Sequence, residues 1–83
     1  MKDKQKNKTA KQAVTTHLAD IEVILDWIGM ELESHEQTAI DEPNNWGIPN
    51  ELAHVKRNLK ETLAFLSGNE VSEIDKSLEE LRM

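Results

Sequence analysis

One apolar stripe constrains this chain more than any other feature. Over Val14–Leu32, residues Val14, Leu18, Ile21, Leu25, Ile28 and Leu32 recur in alternating steps of four and three. That spacing places side chains on one face of an α-helix. Ile24 and Trp27 flank the stripe, with Val23 and Met30 further round. The helix therefore carries more apolar surface than one neighbour can cover.

The rest of the chain is too small to absorb that surface easily. Its 83 residues allow one domain at most, and a domain of this size buries only about 60–65% of the surface its unfolded form exposes. There is no cysteine, which excludes a disulfide framework, a thiolate metal site and a cysteine nucleophile. Few aromatics and many Glu, Lys and Leu favour an all-α chain. No apolar run approaches the roughly 18 residues of a membrane span, and no apolar core of a signal peptide follows the basic opening residues MKDKQKNK. The expected location is the cytoplasm, with no membrane contact.

Charge is unevenly distributed. Residues 1–12 carry five Lys and one Asp, whereas residues 13–83 carry five basic and fifteen acidic side chains, within a net charge of −6. The folded part should repel nucleic acid and anionic lipid. Residues 1–9 read as a basic flexible tail, and 10–83 as a single helical domain.

Thr9 and Gln12 have the spacing of a capping box. It predicts helix 1 from Ala10 to about Gln37, interrupted only by Gly29, which costs about 1 kcal/mol against Ala unless another helix approaches there. The connection is expected over Thr38–Pro49, where Pro43 and Pro49 disfavour helix in the preceding residues. Ile40, Trp46 and Ile48 are expected to fold back as a lid on a small core. The alternative is that a loop of this length, with Trp46 at its centre, serves binding. Helix 2 is expected from Asn50 to Leu66, with a stripe of Leu52, Val55, Leu59, Leu63 and Leu66, ending at Gly68 in a left-handed cap. Ser72 and Asp75 resemble a capping box for a short helix 3 whose apolar face is Ile74, Leu78 and Leu81.

These elements predict an all-α fold: an antiparallel helical hairpin plus a short third helix, dimerising into a four-helix-type bundle. Helix 2 is too short to cover helix 1, so the leftover face is expected to meet a second copy. The expected interface residues are Leu18, Ile21, Ile24, Leu25, Trp27 and Ile28.

Signals for chemistry are weaker. His17 with Asp20, Glu31 with His35, and Glu51 with His54 have helical spacing and are neighbours on a helix surface. Glu51-Leu-Ala-His54 is also the Glu-x-x-His arrangement of di-iron carboxylate bundles. A ferritin-like metal site would draw on Glu51 and His54, with Glu31 and His35 as further candidates. In a chain this rich in glutamate, solvated ion pairs are the expected outcome, and no metal or other cofactor is assigned. His35 falls on the apolar seam, where a lone polar group sets register or ends a core. Helix 2, its turn and helix 3 can be drawn as a helix-turn-helix, but Glu73, Asp75, Glu79 and Glu80 on the second helix oppose entry into a DNA groove. The Lys-rich N-terminus is the remaining candidate for nucleic acid. No phosphate loop or nucleophile elbow is present, so no enzymatic activity is expected. The sequence thus reads as a small acidic interaction module with an accessory or regulatory role. It self-associates through helix 1 and offers its acidic surface or the Trp46 loop to a basic protein partner.

Overall fold

The structure, a computed structural model, describes residues 9–82. The basic segment 1–8 lies outside the described residues. Among the described residues the structure is all-α, with three helices in chain order. They are α1 (Ala10–Asp41), α2 (Gly47–Ser67) and α3 (Val71–Arg82). The chain divides into two compact units, one ending at Asp41 and the other beginning at Glu42.

The first unit is built on α1, 32 residues long and so about 48 Å from end to end. Its N-terminus is closed by the reciprocal bonds expected of a capping box. The Thr9 N–H donates to Gln12 Oε1 at 2.9 Å and the Gln12 N–H donates to Thr9 Oγ1 at 3.1 Å. Two of the four orphan donors of the first turn are thereby satisfied. The helix runs four residues past the expected end at Gln37 and stops at Asp41. Pro43 sets that limit, because its ring crowds helical backbone at Glu42. The intervening residues have helical bonds of their own. The Thr38 hydroxyl donates to the Ser34 carbonyl at 3.1 Å, and the Gln37 amide donates to Asp41 Oδ1 at 3.2 Å.

The connection is accordingly shorter than expected, covering only 42–46. Glu42–Asn45 form a turn closed by the Asn45 N–H on the Glu42 carbonyl at 3.0 Å. Asn45 then launches α2, its Oδ1 accepting the Gly47 N–H at 3.0 Å. Helix α2 therefore starts at Gly47, three residues before the expected Asn50. Pro49 does not prevent this, because it sits in the first turn, where its missing N–H would have had no helical partner. Of the lid expected from Ile40, Trp46 and Ile48, only Ile48 is half-buried; Ile40 and Trp46 are exposed. Ile40 belongs to the last turns of α1, and Trp46, at the mouth of α2, is 75% exposed.

The second unit is α2 and α3 joined at Gly68. This glycine has φ +80° and donates its N–H to the Ala64 carbonyl at 2.9 Å, the left-handed stop expected there. The start of α3 differs from expectation. The cap is Glu70, whose carbonyl accepts the Ile74 N–H at 3.2 Å and whose own N–H donates to Glu73 Oε1 at 2.9 Å. Ser72 is thus inside the helix, and Asp75 is engaged elsewhere. Lys60 Nζ on α2 donates to Asp75 Oδ1 on α3 at 2.6 Å. Ile74, 8% exposed, is the buried apolar residue among those described. It lies in an open groove of about 380 Å³ with Leu63 and Leu78 as apolar walls.

Candidate interaction surface

Helix α1 leaves its apolar stripe uncovered within its own unit. No residue of α1 is buried. Val14, Leu18, Ile21, Leu25 and Leu32 are between 40% and 55% exposed, while Ile28 is half-buried. The flanking residues Ile24 and Trp27 are likewise exposed, at 47% and 61%. A soluble monomer rarely presents a contiguous apolar area of this kind. All six expected interface residues, Leu18, Ile21, Ile24, Leu25, Trp27 and Ile28, lie on this one continuous helix.

The second unit has apolar surface that the expected stripe missed. Phe65 is 85% exposed, and Leu66, assigned to the covered face of helix 2, is also mostly exposed. The short α3 spans 12 residues and cannot reach the whole of α2. Leu52 and Val55 are half-buried, so the α2 stripe is partly covered at its N-terminal end.

The metal candidates engage in helix-surface hydrogen bonds. Arg57 Nη2 is 3.1 Å from His54 Nδ1, and the Asn58 side-chain amide is 3.2 Å from His54 Nε2. A guanidinium and an amide nitrogen both only donate, and a neutral imidazole has one acceptor nitrogen, so at most one of these two contacts is a hydrogen bond at a time. A positive group so close to Nδ1 opposes a cation there. On α1, His35 Nδ1 donates to the Glu31 backbone carbonyl at 2.9 Å, which removes that nitrogen from a ligand set. Among the described residues, no group of three or more His, Asp or Glu comes together to hold a metal ion.

The turn between α2 and α3 has the tight corner of a helix-turn-helix, but the side chains are wrong for DNA. Asp75 is tied to Lys60, and Glu73 serves the backbone at the start of α3. With Glu79 and Glu80 against Lys76 and Arg82, α3 as a whole carries four acidic and two basic side chains. Among the described residues, no helix is long and apolar enough to cross a membrane. Comparison with protein-family models, with curated proteins and with solved structures returned no match.

Proposed function

We propose that this protein is a small α-helical interaction module that self-associates through α1. In that state it presents an acidic surface, or the exposed Trp46, to another protein. The observation that carries this reading is the uncovered apolar stripe of a 32-residue helix with no buried side chain. Burying large apolar residues contributes about 1.5–3 kcal/mol each, and a second copy supplies the same stripe. The excess of acidic side chains beyond residue 12 favours a basic partner by electrostatic steering, so that binding weakens with added salt. The role is accessory or regulatory rather than catalytic, and its setting in this reading is the cytoplasm.

Sedimentation velocity of the full chain at micromolar concentration tests the self-association. A dimer or higher assembly is expected. Ile24→Glu is expected to convert it to monomer while far-UV circular dichroism retains the helical signal. A wild-type chain that stays monomeric under these conditions overturns the reading.

A further inference from the structure

Resting on the self-association proposed above, we infer that α1 pairs with a second copy of itself in antiparallel orientation, centred on Val23. Written as a heptad, the stripe has Leu18, Leu25 and Leu32 at one core position and Val14, Ile21 and Ile28 at the other. Lys11 and His35 continue the same seam at its two ends. Both orientations bury the apolar residues, so the orientation is decided by what the polar residues meet.

In a parallel pair each seam residue meets its own copy. Lys11 would face Lys11 at one end of the seam. Glu31 would also lie beside the second copy's Glu36 on both flanks. Like charges so placed oppose association.

The antiparallel pair separates the two lysines and the Glu31–Glu36 flanks, and it keeps every apolar layer. Val14 lies opposite the second copy's Leu32, Leu18 opposite Ile28, and Ile21 opposite Leu25. Each layer then joins a leucine to a β-branched residue. Lys11 is placed opposite His35. On one flank His17 comes beside the second copy's Glu31, as it would beside Glu22 in a parallel pair, and Ile24 meets Ile24 near the two-fold axis, which accounts for Ile24, though not Trp27, beside the stripe. The cost is one meeting of Glu22 with Glu22 on the other flank.

The ends of the helix point the same way. The first turn of α1 has no acidic residue and its last turn has no basic one. No charged side chain of its own therefore offsets the partial charge at either end. Asp41 closes the negative end of the dipole, and Glu36, Glu33 and Glu31 lie in the turns before it. An antiparallel copy sets its positive end and Lys11 toward that cluster. A parallel copy doubles the cluster instead.

The natural absence of cysteine makes the orientation directly readable. Val14→Cys and Leu32→Cys are prepared separately in the full chain and oxidised mildly, alone and as an equimolar mixture. Disulfides form only where Cα atoms approach to about 4.4–6.8 Å. The mixture is expected to give the mixed disulfide severalfold in excess of either self-linked product. Leu18→Cys with Ile28→Cys reports the same register should the first pair weaken folding. Self-linking of Val14→Cys as readily as mixed linking overturns the orientation, and so does a dimer that links at neither pair. Both results leave self-association standing. A wild-type monomer by sedimentation overturns self-association, and the orientation falls with it.

Discussion

Two backbone positions decide where helices begin and end, and both are testable by single substitutions. Gly68 holds φ +80°, and a Cβ built there meets nothing within 4 Å. The cost of Gly68→Ala is therefore conformational rather than steric, about 1–2 kcal/mol. It should appear as a lower unfolding midpoint in urea, with Gly68→Asn affected less. Thr9→Ala removes the hydroxyl that accepts the Gln12 N–H, at about 1 kcal/mol. Faster amide exchange confined to the first turn of α1 is the expected signature. Both caps were legible in the sequence, because each rests on contacts within four residues. The start of α3 was not. Ser is a better capping residue than Glu, so local preference pointed to Ser72 and Asp75. The observed choice of Glu70 and Glu73 frees Asp75 for Lys60, fifteen residues away, and no local pattern announces that pairing.

At the scale of elements, α3 depends on α2. A helix of 12 residues is marginal alone in water. Its attachment rests on Ile74 and on the bond from Lys60 to Asp75. Ile74→Ala is expected to cost about 2 kcal/mol, at the low end for core truncation because the site opens into a groove. Amide exchange should show α3 losing protection while α1 keeps its own. The ion pair is worth less. Lys60 and Asp75 are 19% and 47% exposed, so Lys60→Met should change stability by no more than about 1 kcal/mol. The existence and type of all three helices followed from apolar periodicity. Their ends followed only at the Thr9 and Gly68 caps. Pro49 was read as a boundary because proline breaks helix interiors, yet its distance from Asn45, which provides the starting turn, makes it a first-turn residue.

At the scale of the whole molecule, the unusual property of the described residues is how little of them is inside. If α1 finds its cover in a second copy, folding and association are one process. The melting temperature of α1 should then rise with protein concentration, by mass action. Calorimetry or circular dichroism at two concentrations tenfold apart checks this, and coincident melting curves would contradict it. The stripe on α1 was legible because periodicity survives in any single sequence. What covers it was not, since a helix face has the same pattern whether its neighbour is its own chain or another.

Gly29 gains a use from this arrangement. It interrupts an otherwise unbroken helix, and a Cβ there meets nothing within 4 Å. In a lone helix, Gly29→Ala simply removes an entropic weakness worth about 1 kcal/mol. In the antiparallel pair it adds a methyl group on the flank that faces the second copy's Thr15. The same substitution should thus raise helix content in dilute solution and weaken association in concentrated solution. Gly29 is in that sense a gauge of how closely two backbones approach, read from the sign of one small change.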